Sequence, residues 1–340
     1  MVAIAFFTLS VGLILLFIFI TGFHDEGNLI ATIITSRSLN VYLIFTIAFL
    51  SQFLGTLFLG TKVAETTITS LINLEQVRKA PDGLSLMICA AMLGAVLWNI
   101  ITWAAKIPSS SSHAIIGGLM GPFLVRYGME GIRLKGILFS VLLPLFTSPL
   151  IGYLFGFLLY KLNQFCLEKL GIRIKNLFRV SHIVTCVLIN AFQGSNDAQK
   201  GMGVFALLLL GTAQNSKISV PRNLILWSAL AISFGLILGG LKMIKSVGTK
   251  IFPVRALHSV SAQMSALAVI GSASLFGFPV SGTQIVNSAI LGVGAADRPN
   301  AVGWEYAKHM MMTWIITIPS SLLLSAGFYF ILSRMIGATI

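Results

Sequence analysis

The chain has 340 residues, of which 56% are hydrophobic and 10% charged, and its formal net charge is +13. Soluble domains use about 25% charged residues, so this composition excludes an ordinary water-soluble fold. It predicts an all-α polytopic membrane protein.

Apolar stretches of about the 20 residues needed to cross a bilayer fall around residues 2–23, 41–60, 84–105, 136–160, 181–211, 224–241, 256–277 and 307–333. They are apolar throughout rather than alternating, which argues against an outer-membrane β-barrel. The first has no Lys or Arg ahead of Arg37, so it lacks the basic flank of a signal peptide and is expected to be retained.

The first run leads into GFHDEGNLIAT. An ionised carboxylate at bilayer depth costs at least about 2.5 kcal/mol, so Asp25 needs a reason to be there. Gly22 and Gly27 permit unwinding, and Asn28 adds a donor and an acceptor three residues on. Together they can hold a cation, a proton or a hydrogen-bonded substrate inside a broken helix. The plainer alternative is that His24, Asp25 and Glu26 cap a helix at the interface. After the run at 84–105 comes KIPSSSSHAIIGG, where Pro108 ends a helix and Ser109 to Ser112 precede small apolar residues. This pattern predicts a re-entrant hairpin whose second arm starts at the serines, with free backbone N–H groups and hydroxyls turned towards an anion. The alternative is that these hydroxyls only cap or pack helices. Residues 24–36 and 107–125 are each short enough to span or to re-enter.

Residues 162–180 are basic and less apolar, and are expected to form a cytoplasmic linker, with an amphipathic surface helix as one form of it. Lys161, Lys169, Arg173, Lys175 and Arg179 cluster here, and Lys242, Lys245, Lys250 and Arg255 in a later connection. This is the pattern of positive cytoplasmic loops, without the interleaved aromatics of a nucleic-acid surface. The linker divides a first transmembrane repeat, 1–161, from a second, 181–340. The second half repeats the signals of the first. NAFQGSNDAQKGMG places Asn196, Asp197 and Lys200 in an apolar setting, and FPVSGTQIVNSAILG offers Ser281, Gly282 and Thr283. Pro108 follows Asp25 by 83 residues and Pro279 follows Asp197 by 82; Pro149 and Pro319 lie 170 apart. The expectation is two inverted repeats with broken helices and re-entrant hairpins, both termini outside and the linker inside. Two hairpin N-termini meeting at the midplane would form a tetrahedral oxyanion site.

The strings GFHDEGNLIATIITSR, LWNIITWAAKIPSSSSHAIIGG and GSNDAQKGMG resemble the inorganic phosphate transporter (PiT) family, in its bacterial low-affinity phosphate permease branch, from about residue 20 to about residue 330. The resemblance implies a phosphate site where the hairpins meet, and coupling to a cation. It places the family's Ser-Thr-Thr-His element on Ser110, Ser111, Ser112 and His113, and its acidic motif on Asp25 with Asn28 and on Asp197 with Asn196. The chain departs from the pattern at Gly282 and Gln284, where the family has Thr and His. Lys200 stands where the first repeat has Asn28. This Lys also occurs in the resembling bacterial branch, which is associated with protons and neutral metal-phosphate complexes.

The function expected is therefore secondary active symport of inorganic phosphate across the cytoplasmic membrane, with no cofactor, coupled to H⁺. The alternatives are Na⁺ coupling, co-transport of a divalent metal with phosphate, another tetrahedral oxyanion such as sulfate, and a passive anion channel. Phosphate is favoured because it keeps a proton to donate to Asp25 or Asp197, whereas sulfate only accepts. The absence of HExxH, GxSxG and P-loop patterns argues against an enzyme. The bilayer and phosphate are the partners expected, with a homodimer left open. Cys89, Cys166 and Cys186 are expected as unpaired thiols, and His258 and His309 as interface residues without a role.

Overall fold

The computed structural model describes residues 2–79, 83–105, 107, 109–170, 174–210 and 220–337. Pro108, the landmark of the first hairpin, lies outside them, as does Arg173 of the linker. Among the described residues the only β pairing is an isolated bridge between Ile72 and Ile132. In hydrocarbon every backbone N–H and C=O must be satisfied within the protein, and helices do this segment by segment.

The first half runs α1 (Val2–His24), α2 (Gly27–Thr35), α3 (Val41–Phe58), α4 (Lys62–Leu71), α5 (Leu74–Lys79), α6 (Leu84–Ala104), α7 (Ser111–Tyr127), α8 (Leu134–Gly136) and α9 (Leu143–Leu170). The second runs α10 (Ile174–Leu210), α11 (Arg222–Lys250), α12 (Ala256–Phe276), α13 (Gly282–Asp297) and α14 (Trp304–Met335). Among the described residues, eight helical segments are long and apolar enough to cross a membrane, and they coincide with the eight runs read from the sequence. This is a multi-pass membrane protein. α7 and α13, of 17 and 16 residues, would reach only about 25 Å at 1.5 Å per residue, short of a hydrocarbon core of about 30 Å. Pro149 and Pro319 both lie inside long helices, α9 and α14.

Among the described residues, the basic stretch 162–180 is taken up by helix ends. The last turns of α9 and the first turns of α10 occupy it on either side of residues 171–173. Lys242, Lys245 and Lys250 likewise fall on α11 rather than in a connection.

Helix contacts come in matched pairs. α7 packs on α14 and α13 on α9; α1 packs on α11 and α10 on α3; α1 packs on α6 and α10 on α12. Each short arm is thus seated on the long helix of the other half. Gly117 and Gly121 of α7 make one of these seats possible, since a Cβ on either would overlap the Ile318 or Leu322 carbonyl of α14. Gly22 works the same way, abutting the Ile232 carbonyl of α11. It lies within α1, so it serves close packing and not the unwinding expected of it.

Two apolar clusters result. One gathers Ile14, Phe17, Met87, Leu119 and Met202, the other Ile30, Ile189, Ala266, Ile285 and Ile290. Along α10 they are separated by Asn190 to Asp197, and along the first half by the break between α1 and α2. Polar residues occupy the seam. Outside, Leu150, Leu158, Leu162 and Leu323 are exposed, a surface suited to lipid and costly in water.

His258, for which no role was expected, has partners inside the protein. It is buried, accepts the Arg255 backbone N–H at Nδ1 (3.0 Å) and places Nε2 3.2 Å from Asp297 Oδ2. The Tyr160 hydroxyl donates to Asp297 Oδ1 at 2.7 Å. α9, α12 and the end of α13 are clamped together there.

Candidate substrate site

The helix that carries the first acidic motif breaks as the sequence predicts, with Asp25 and Glu26 forming the turn between α1 and α2. The break is internal: Asp25 is 6% exposed and Glu26 fully buried. Glu26 stands at the N-cap position of α2 but makes no side-chain hydrogen bond there, so these side chains do not act as the cap. Asp25 Oδ1 lies 2.8 Å from His24 Nδ1, and Oδ2 accepts the Ser111 backbone N–H at 3.2 Å. A carboxylate from the first break thus sits at the N-terminus of α7, where orphan N–H groups and the helix dipole favour negative charge.

The second motif is built differently. α10 runs unbroken past Asp197, so Asp197 and Lys200 share one helical face three residues apart. Lys200 is 2% exposed, which excludes snorkelling to the headgroups. Its ammonium pairs with Asp197 and donates to the Ser112 hydroxyl and the Val280 carbonyl, each at 2.6 Å. It joins both hairpins at their tips.

The tips also bond directly. Ser110, the N-cap of α7, accepts the His113 N–H at 3.4 Å and donates to Ser281 Oγ at 3.0 Å. The Ser112 hydroxyl donates to the Val280 carbonyl at 3.1 Å. Asn28 donates to its own turn, at the Asp25 carbonyl (3.1 Å), and across to Thr283 Oγ1 (3.2 Å). Gln284 Nε2 meets His113 Nδ1 at 3.2 Å.

Each bend is held by a side chain. In the first hairpin Thr102 and Ser109 share a hydroxyl hydrogen bond of 2.8 Å. In the second, Gly277 ends α12 in the left-handed region (φ 81°), and Phe278 N–H returns to the Ala273 carbonyl. Asn196 then donates to Ser274 Oγ (3.1 Å) and the Phe278 carbonyl (3.0 Å) and accepts Val280 N–H (3.3 Å). Asn196 therefore braces the bend, while Asp25, Asn28, Asp197, Lys200, Ser110, Ser111, Ser112, Ser281 and Thr283 converge between the tips.

Gly282 has a local cause. A Cβ there would come within 2.5 Å of Gln193 Cδ, one turn before Asp197 on α10. Both polar atoms of Gln193 are buried without a hydrogen-bond partner, as are Asn28 Oδ1, Ser111 Oγ, Gln284 Oε1 and both oxygens of Glu26. Gln193 and Glu26 were not among the site residues read from the sequence. A Gln in an apolar run and an acid beside Asp25 were visible there, but only burial distinguishes them from packing and capping.

Buried hydroxyls, two helix N-termini and an ammonium, set beside carboxylates, can receive a tetrahedral oxyanion that still carries a proton. Fold and site together are those of a helical membrane transporter. The model of the family described as the phosphate transporter family matches residues 21–173 and 167–325. The chain belongs to that family, whose members are transporters and not enzymes. It is 37% identical over 323 residues to a protein of Bacillus subtilis (strain 168), covering 94% of this chain and 95% of the relative. It is 38% identical over 330 residues to one of Rhizobium meliloti (strain 1021), covering 95% and 96%. Both are named probable low-affinity inorganic phosphate transporters. A solved structure described as the sodium-dependent phosphate transporter superposes with a TM-score of 0.86, over 97% of this chain and 100% of that one, at 23% identity. That likeness concerns the fold.

Proposed function

We propose that the chain is a secondary active symporter that carries inorganic phosphate across the cytoplasmic membrane with protons as the coupling ion. Phosphate is held between the hairpin tips by Ser110, Ser111 and Ser112 and by Ser281, the Gly282 N–H and Thr283. Asp25 with Asn28 on one side and Asp197 on the other accept a hydrogen bond from the phosphate hydroxyl, and Lys200 offsets the anion's charge. Asn196 positions the second hairpin. Repeats 1–161 and 181–340 are inverted about the basic segment 162–180, which faces the cytoplasm, and both termini face outward. The matched helix contacts support this symmetry.

One observation carries the proton preference. Lys200 is buried, bonded to Ser112 and the Val280 carbonyl, and paired with Asp197, so an intrinsic ammonium stands where a coupling metal cation would otherwise bring positive charge. The second reading is Na⁺ coupling, favoured by the sodium-dependent transporter of the same fold. A neutral metal-phosphate complex as cargo, sulfate as substrate and a homodimeric assembly are further variants of the same proposal.

The test is uptake of labelled phosphate by the purified protein in liposomes, with ΔpH, Na⁺ and Mg²⁺ varied separately. Accumulation against a gradient driven by inward ΔpH without Na⁺ is expected. Uptake that needs Na⁺ and ignores ΔpH overturns the proton assignment. Equilibration without accumulation under every gradient indicates a channel.

A further inference from the structure

Glu26 is a second carboxyl in the helix break, fully buried, and neither of its oxygens receives a hydrogen bond. Its charged neighbours are Asp25 on the same turn and Asp197 and Lys200 on α10. His24 on α1 is bonded to Asp25, and His113 on α7 faces Gln284. The tip of α13, Ser281 to Gln284, carries no titratable group.

The three carboxyls are not equivalent. Asp25 has His24 and the Ser111 N–H, and Asp197 has Lys200. Glu26 has no donor at either oxygen. A buried carboxylate without a donor is among the costliest groups in a protein, and taking up a proton removes that cost. Among the described residues the acids do not converge in a metal-holding group. Asn28 Oδ1 is also buried and unpartnered beside this turn.

We propose that Glu26 carries the coupling proton while phosphate is bound. Loading is a proton taken from water onto the Glu26 carboxylate; unloading returns it to water on the other side, and no bond to phosphorus changes. Entry of a monoanionic phosphate together with one proton leaves the pocket at the charge it had when empty. Without the proton, the anion would enter a site where carboxylates already outnumber cations.

This assignment rests on the reading of the chain as a proton-coupled phosphate symporter. The experiment compares wild type, Glu26→Gln and Glu26→Asp, purified as full chains in liposomes with labelled inorganic phosphate. One arm measures accumulation driven by inward ΔpH without Na⁺. The other measures phosphate–phosphate exchange at equal pH, in which the loaded carrier returns without releasing its proton. Glu26→Gln is expected to lower driven accumulation about tenfold more than it lowers exchange, the scale of one lost interaction with a charged group. Glu26→Asp is expected to keep accumulation with a displaced pH profile.

A wild-type response to ΔpH in Glu26→Gln overturns the proposal. So does an equal fall of both arms in a variant that elutes and unfolds like wild type, which would show a structural role. If Glu26→Gln cannot be reconstituted, Glu26→Asp decides, and a wild-type pH profile there overturns the proposal. Wild-type uptake driven by Na⁺ alone removes the proton role while leaving phosphate transport standing. No uptake by wild type under any gradient sinks the symporter reading itself, a result distinct from the others.

Discussion

Lys200 and Asp197 form a buried ion pair whose ammonium also holds both hairpin tips. Removing one partner of such a pair strands a buried charge, at a cost of about 3–5 kcal/mol. Lys200→Met is therefore expected to lower the thermal midpoint in detergent as well as abolish uptake. The double variant Lys200→Met with Asp197→Asn should recover stability but not transport, and recovered uptake would count against a role for the pair in transport. Asp25→Asn and Asp197→Asn are each expected to reduce uptake to background with membrane insertion intact, and undiminished transport in both would remove the carboxylates from the mechanism. Asp297 behaves differently. Partial burial raises its pKa, but the Tyr160 hydroxyl, Arg298 and the nearby His258 and Arg298 charges outweigh it and hold the carboxyl below its ordinary range. Its contribution to stability is thus complete at neutral pH and is lost as pH falls through the lowered folded value. Thermal midpoints against pH should decline on the acid side in wild type, with a shallower decline in Asp297→Asn.

At the scale of elements, the two hairpins are alike in outline and different at the tip. α7 opens with Ser110 to Ser112, whereas α13 opens with Ser281, Gly282 and Thr283, and Gly282 is there because Gln193 fills the space of a Cβ. Gly282→Ala is expected to displace the tip by overpacking, at about 1–3 kcal/mol, and to reduce phosphate uptake. Adding Gln193→Ala should relieve the overlap, and no recovery of uptake would argue against steric cause. The arms themselves were legible, because Pro followed by hydroxyl and small residues ends one helix and starts another. The brace at Asn196 was not. Its side chain reaches Phe278 and Val280, more than 80 residues away, and nothing local in the sequence encodes such a distance. The helix ends in the basic stretch 162–180 were hard to read for a related reason. Charge and lowered hydrophobicity suit a surface helix, but they suit equally the ends of two long helices projecting from a bilayer. α10 alone would extend roughly 55 Å at 1.5 Å per residue.

For the whole molecule, the sidedness proposed above has a direct check. Cys166 is partly exposed near the end of α9, whereas Cys89 and Cys186 are buried. A membrane-impermeant maleimide is therefore expected to label Cys166 in inside-out vesicles and not in intact cells, and labelling of intact cells would reverse the proposed orientation.

Composition and hydropathy alone determined that this chain is helical and carries eight segments long and apolar enough to cross a membrane, because the bilayer sets one length and one polarity for any segment that crosses it. The order and spacing of Asp25, Pro108, Asp197 and Pro279 likewise made a repeated pattern legible. Only the tertiary structure decided which of these polar residues are brought together and how each is bonded. The α1–α2 break admits Glu26 to the interior, α10 stays continuous so that Lys200 can reach both tips, and Asn196 turns to the bend. Burial and partnership are set by helices packed from opposite halves of the chain, and a carboxylate, an amide or an ammonium acquires its role from those neighbours rather than from its place in the sequence.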